Sequence, residues 1–568
     1  MSNEAVDRQT LDDSLARLTE HSQRWASLSI ERRLELARSF RDRTHETAAD
    51  QVRRALDAKR LSPEDPQAAE EWLAGPMISL RYMRMLIETL EEIREHGHPE
   101  CSVGDLQRRA GGQVVAEVIP HDLWDRLLYN GFRAEVWMEP EVDAEEVCAS
   151  MGEFYRRDQP EGAVELILGA GNVASIGPLD AISKLFVEGR VCLIKVNPVN
   201  EYLEPFWRDR FRPFIEEGFV DIVTGGADVG SYLCGHEDVD HIHITGSDKT
   251  HDAIVFGSGD EGTRRKAEND PVLDKPITSE LGNISPVVVV PGPWKERDID
   301  FHAQNLATQL ANNAGFNCNA VRAIVRPEGW DIGASLVDRT LEYLDDIGTR
   351  YAYYPGAEDR FDDFLESHDR VDTVGSPDEG ELPWAVLRDI DPDSDHPAFH
   401  EEAFCGVTAE TLLDAETPAA FLRQAVRFCN ERLWGTLNAC LLVHPETRRH
   451  LGETLEAAIA DLRYGTVAIN HWPAIGYGLG VTPWGAYPGS SLDDIQSGRG
   501  WVHNAHMFAH PQKSVVRGPF HVTPTPPWFV TNDAAHEIIP KLIDFEAGPS
   551  LRRLGSVLWP TLLNEIRS

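Results

Sequence analysis

Asn312-Asn313-Ala314-Gly315-Phe316-Asn317-Cys318-Asn319-Ala320 sets one thiol in a loop of small and amide-bearing residues. A core cysteine sits among apolar neighbours; one flanked by Asn and Gly is better placed to act as a nucleophile. Upstream, Ser279-Glu280-Leu281-Gly282-Asn283-Ile284-Ser285-Pro286 puts a carboxylate in a glycine-containing turn. Alone, such a Glu reads as a solvated side chain. Followed by the loop cysteine it reads as the base that activates a water. The two segments together point to covalent thiol catalysis with a separate general base.

Around this pair the chain is alternating α/β. Strand-like apolar runs, Val164 to Leu168, Val191 to Val196, Val220 to Thr224 and His241 to Thr245, are separated by amphipathic stretches such as 179–188 and 203–217. That alternation predicts βαβ units and a parallel sheet. A second α/β segment starts near Ser285, with strands at 287–290, 321–325 and 465–470 and helices near 300–312 and 332–346. Residues 9–95 carry Leu11, Leu15, Leu18, Leu34, Leu36 and Ala37 at helical spacing, broken at Ser62-Pro63-Glu64-Asp65-Pro66. Short strands are expected at 113–118 and 134–138, and a short helical stretch at the chain's end.

A length of 568 residues exceeds one hydrophobic core and predicts two or three domains. The formal charge of -40 argues against nucleic-acid backbones and anionic membrane surfaces, both of which need clustered Lys and Arg. The longest apolar run, Ala439 to Val443, is too short to span a bilayer. Met1 to Asp7 has neither the basic nor the apolar segment of a secretory signal. The remaining cysteines (101, 148, 192, 234, 405, 429 and 440) form no CxxC pair and no zinc spacing, and most have apolar neighbours. Core thiols in a reduced cytoplasmic compartment are the simplest expectation.

Gly169-Ala170-Gly171-Asn172 follows the strand 164–168, where glycines let the backbone turn sharply against a ligand. A standard dinucleotide fingerprint needs an acid at the end of the next strand, and this strand ends in Lys195. His243-Ile244-Thr245-Gly246-Ser247-Asp248 closes a strand and opens a helix; its Ser or Asp is either a plain N-cap or part of an anion site. Glu401-Glu402-Ala403-Phe404-Cys405-Gly406-Val407 and Asn430-Glu431-Arg432-Leu433-Trp434-Gly435-Thr436-Leu437 complete the set. The loop after Asn470 carries Trp472, Tyr477, Trp484 and Tyr487, which reads equally as a substrate funnel or as a packed aromatic loop.

In order, these segments resemble the aldehyde dehydrogenase superfamily, from about 164 to 500. The resemblance implies an aldehyde dehydrogenase-like α/β fold: a Rossmann-type cofactor domain, an α/β catalytic domain and a small bridging element for oligomerisation. The expected division is 1–110 helical and packed on the cofactor domain, 111–284 binding NAD(P), 285–470 catalytic, and 471–568 funnel loop and bridging tail. Such bridging strands are expected to extend a neighbour's sheet, giving a homodimer or a dimer of dimers. The resemblance makes Cys318 the nucleophile, Glu280 the base and Asn172 an oxyanion donor. It assigns Gly171, Lys195, Thr245, Gly246, Ser247, Glu402 and Phe404 to NAD or NADP. Pro198 stands where NAD-preferring members carry a carboxylate, so a 2′-phosphate meets no repulsion there. No metal is implied. The reaction expected is oxidation of an aldehyde to an acid. Two alternatives stay open: a coenzyme A-acylating dehydrogenase or acyl-CoA reductase, and a catalytically silent scaffold.

Overall fold

Continuous apolar strands need cover on both faces, and the chain supplies it twice. The computed structural model describes residues 7–109 and 111–567, with side chains up to residue 559. The reading of residues 1–6 as lacking a signal lies outside the described residues.

The first sheet has six strands in the order Gly498–Arg499, Ile277–Glu280, His241–Thr245, Val164–Leu168, Val191–Lys195, Val220–Val223. Five run parallel; the two-residue strand at 498 is antiparallel at the edge. Helices Ile176–Phe186 and Arg8–Ala26 pack against it, the latter through Leu11, Leu15, Leu18 and Trp25. Trp25 is fully buried and its Nε1 donates to the Leu185 carbonyl at 3.1 Å. Burying a ring of about 200 Å² is worth about 5 kcal/mol. The helix Ile30–Ala58, capped by Ser29, runs antiparallel to Ile78–His96.

The second sheet has eleven strands, ordered Gln107–Arg108, Val114–Ile119, Arg133–Met138, Pro511–Arg517, Thr466–Ile469, Asn438–Leu442, Ser285–Val289, Val321–Pro327, Val407–Leu413, Trp384–Ile390 and Val371–Val374. Alternation along Ser285–Val289 sends Val287 and Val289 into a core under helices Glu296–Ala311 and Asp331–Asp346. Val288 faces the other core, under Pro418–Arg432 and Glu453–Asp461.

Three expectations need correction. The strands at 114–119 and 133–138, expected in the cofactor unit or reaching to a neighbour, extend the chain's own large sheet. Pro511–Arg517 joins them to it, parallel to Thr466–Ile469 and antiparallel to Arg133–Met138. Next, the cysteines are not all free thiols, since Cys101 and Cys148 are joined in a disulfide. Finally, the tail ends in two substantial helices, Ala535–Ala547 and Leu551–Arg567, and the first docks on the N-terminal helices. Among the described residues no helix is long and apolar enough to cross a membrane.

Candidate active site

The parallel strands of the small sheet end together, and their last residues Lys195, Thr245 and Glu280 come to one cleft. Thr245 and Glu280 are in register on neighbouring strands. The large sheet supplies the opposite wall through the turn before Val321–Pro327, which carries Cys318. The cleft between them has a volume of about 1370 Å³.

The cysteine loop is tightly specified. Asn313, Ala314 and Gly315 have φ of 55°, 56° and 81°, three consecutive left-handed residues. For Ala314 this costs about 1–2 kcal/mol, a strain the surroundings must hold. Gly315 has no alternative, because a Cβ there would meet the Cys405 carbonyl at 2.6 Å. Asn317 Nδ2 donates to the Asn312 carbonyl and to its side-chain oxygen, at 3.1 and 3.0 Å. Ser285 Oγ and Asn438 Nδ2 donate to the Cys318 carbonyl at 3.0 and 3.3 Å, and Trp472 Nε1 to the Asn319 carbonyl at 2.7 Å. The thiol is left half-buried, with its peptide held on both sides.

Cys318 Sγ lies 3.6 Å from Glu280 Oε1, which also accepts the Trp484 Nε1–H at 2.7 Å. Oε2 of Glu280 is buried and has no hydrogen-bond partner among the described residues, leaving lone pairs for a water. Burial pushes Glu280 up to about 7, against the pull of the Trp484 and Cys318 hydrogen bonds. Burial, then the charges of Glu280 and Glu402, push the Cys318 thiol well above its ordinary value. At rest the sulfur therefore keeps its proton, and the adjacent carboxyl is poised near neutrality to take it.

Asn172 Nδ2 donates to the Phe316 carbonyl at 2.9 Å, which aims this amide at the cysteine loop. The amide carries a second N–H.

Of the other sequence-predicted residues, Lys195, Thr245, Gly246, Ser247, Glu402 and Phe404 all line the cleft. Ser247 caps the helix Asp248–Phe256, accepting from Thr250 N at 3.1 Å, so the cap reading holds while the helix N-terminus faces the cleft. Burial lowers the Lys195 amine, against the raising charges of Glu201 and Asp228. Burial also pushes Glu402 up to about 7, with Arg322 and the Asn283 N–H opposing. A Cβ on Gly282 would collide with the Glu402 carboxylate, which explains that glycine. A large, mostly apolar cleft that also holds an amine, a carboxylate and a helix N-terminus fits a dinucleotide.

Gly171 is the exception. It does not line the cleft; a Cβ there would meet Asn197 Oδ1 at 2.6 Å, so its smallness serves strand-end packing. Nor do the aromatic residues of the 471–489 loop line the cleft. Trp472, Tyr477 and Trp484 are buried, with Tyr477 against Trp484 and His503, so the loop is packed rather than a funnel. The reading of the sequence missed Trp484 as the partner of Glu280, and Ser285 and Asn438 behind Cys318. Only the position of Asn438 at the start of an apolar strand hinted at a polar task.

A sequence model described as the aldehyde dehydrogenase family matches residues 213–347. Aminoaldehyde dehydrogenase 1, peroxisomal, of Pisum sativum is 24% identical over 325 residues, covering 53% of this chain and 54% of that one. Aldehyde dehydrogenase [NAD(P)+] 1 of Saccharomyces cerevisiae is 28% identical over 147 residues, 26% of this chain and 25% of its own length. The chain thus spans about half the length, or less, of the curated relatives it matches. Solved structures cover more. The NADP-dependent glyceraldehyde-3-phosphate dehydrogenase of Bacillus halodurans C-125, complexed with NADP, superposes with a TM-score of 0.59 at 15% identity, over 90% of this chain and 91% of its own. An aldehyde dehydrogenase C mutant of Pseudomonas syringae, with NAD+ and octanal, gives 0.60 at 13% over 89% and 88%. The fold and the matched sequence agree: the chain has the fold of these solved dehydrogenases, and its residues 213–347 match the aldehyde dehydrogenase family.

Proposed function

We propose that this protein oxidises an aldehyde to the carboxylic acid with NAD or NADP, through a covalent adduct on Cys318. The observation that carries the reading is the 3.6 Å contact between Cys318 Sγ and Glu280 Oε1 at the end of a dinucleotide-sized cleft. Lys195, Thr245, Gly246, Ser247, Glu402 and Phe404 hold the dinucleotide, whose nicotinamide when bound is the hydride acceptor. Glu280 takes the thiol proton. The thiolate attacks the carbonyl carbon, and the resulting oxyanion is met by Asn172 Nδ2–H and the Cys318 backbone N–H. Hydride loss from this adduct to the nicotinamide would leave a thioester on Cys318. Glu280, its first proton given up to solvent, then removes a proton from the water that attacks the thioester and returns it to the departing sulfur, releasing the acid and restoring the thiol.

Water, rather than coenzyme A, is the acyl acceptor in this reading, because a thiol acceptor needs no base at this position. The free lone pairs of Glu280 Oε2 support it. The test is a panel of aldehydes with each dinucleotide, followed by absorbance of the reduced cofactor, with and without coenzyme A. Acid formed without a thiol supports the reading; products formed only with coenzyme A replace it by the acylating alternative. No reduction with any aldehyde returns the silent scaffold.

We assign 1–110, 111–284, 285–470 and 471–568 as sequence units that share two sheets rather than as separate bodies. We also propose a homodimer or dimer of dimers. It rests not on strand exchange but on Leu123, Leu127, Leu551, Leu558 and Trp559, all exposed on helices that share one small core. Light scattering that finds a monomer at micromolar concentration removes it. A cytoplasmic location rests on the six free cysteines, with the Cys101–Cys148 disulfide pointing the other way.

A further inference from the structure

The N-terminal helical region has no assigned role, yet it reaches the reacting residues from behind. The helix Ile30–Ala58 is about 43 Å long and delivers Lys59, as its C-cap, to the back of the cysteine loop. Lys59 Nζ donates to Asn313 Oδ1 at 2.8 Å and to Glu71 Oε1 at 2.5 Å, and lies 3.5 Å from the Asn172 carbonyl. Glu70 accepts the Asn313 backbone N–H at 2.8 Å and is held by both terminal nitrogens of Arg350, at 3.1 and 2.9 Å. Tyr353 OH closes the group, at 3.1 Å from the Asn172 carbonyl and 3.0 Å from Asn313 Oδ1. Lys59, Glu70, Glu71 and Arg350 are buried, two cations against two anions. Beyond them, residues Leu73–Met77 form a π turn, and Ile78 packs with Val173, Ile176 and Cys318 in one apolar cluster. Such turns cluster at functional sites.

We propose that Lys59, with Glu71 and Tyr353, is a positioning residue: a brace that fixes the Asn172 turn against the Cys318 loop. The brace grips Asn172 by its backbone carbonyl and Asn313 by its side chain. Asn313 is the first of the three left-handed residues, so its hold sets where the strained loop, and with it the thiol, stands. None of Lys59, Glu70 or Glu71 lines the dinucleotide cleft. Loss of the brace therefore separates chemistry from cofactor binding.

This inference rests on the oxidation proposed above, so its test includes a readout that needs no turnover. Lys59→Met with Glu71→Gln removes the pair without stranding a buried charge. Tyr353→Phe removes only a hydroxyl and serves as the second variant should the double variant fail to fold. Lys59→Arg keeps the charge and the donors. The measurements are kcat, dinucleotide affinity by fluorescence, and the rate of iodoacetamide alkylation at Cys318. We expect kcat to fall by up to about a hundredfold in the double variant and less in Tyr353→Phe, with dinucleotide affinity unchanged and partial recovery in Lys59→Arg. Alkylation should speed up as the loop loosens. Wild-type kcat and wild-type alkylation in a folded double variant, or in Tyr353→Phe if the double variant does not fold, overturn the proposal. A wild-type protein that oxidises no aldehyde defeats the proposed function alone, since the alkylation rates still decide the brace.

Discussion

Glu280 and Glu402 face the same cleft, and burial drives both carboxyls up to about 7. Their surroundings differ. Glu280 is almost wholly buried, touches the thiol and takes a tryptophan N–H. Glu402 stands half-buried at the cleft wall, where the Arg322 guanidinium and the Asn283 N–H oppose the rise. A raised carboxyl therefore does not by itself identify the base. Contact with the sulfur does.

The largest effect that sharpens this contrast is at the sulfur. Cys318→Ala should abolish turnover while dinucleotide affinity stays at the wild-type value, because the thiol bonds the substrate and not the cofactor. Titration of protein fluorescence with the dinucleotide checks the second half. Glu402→Gln is the next. It should raise KM for the dinucleotide by about tenfold, about 1.4 kcal/mol, with kcat little changed. Should kcat collapse with KM unchanged, the two carboxylates have been assigned the wrong way round. Trp484→Phe should have the smallest effect. The indole N–H favours the ionised form of Glu280, so its loss moves that group's titration further upward. Activity depends on the carboxylate, so it rises with pH through the region near 7. In Trp484→Phe the rising limb of the pH–rate profile should shift to higher pH, with the high-pH plateau nearly preserved. An unshifted limb means that another group controls it.

The small sheet was legible because buried parallel strands are continuous apolar runs, as Val191–Lys195 is, and need no distant partner to be recognised. The reactive pair was legible because a cysteine among Asn and Gly contradicts the chemistry of a core. The large sheet was less so. Nothing local in Pro511–Arg517 states that it pairs with Arg133–Met138 and Thr466–Ile469, and pairing across such separations is decided by the fold. Cys101 and Cys148, 47 residues apart, gave no spacing to read. Lys59, Glu70, Glu71 and Arg350 look like ordinary solvated charges in the sequence. They become a buried cluster only when three separate segments converge behind the loop. Gly171 misled for a related reason: a glycine needed for close packing is indistinguishable, in one sequence, from a glycine needed by a ligand.

The account stands or falls on Glu280 as the base for deacylation. Glu280→Gln keeps the shape and the tryptophan hydrogen bond but accepts no proton at neutral pH. Mixed rapidly with aldehyde and dinucleotide, it should release one burst of reduced cofactor per site and then stall, and intact mass should show the acyl group retained on Cys318. Steady acid production at the wild-type rate, with no acyl-protein accumulating, would contradict it.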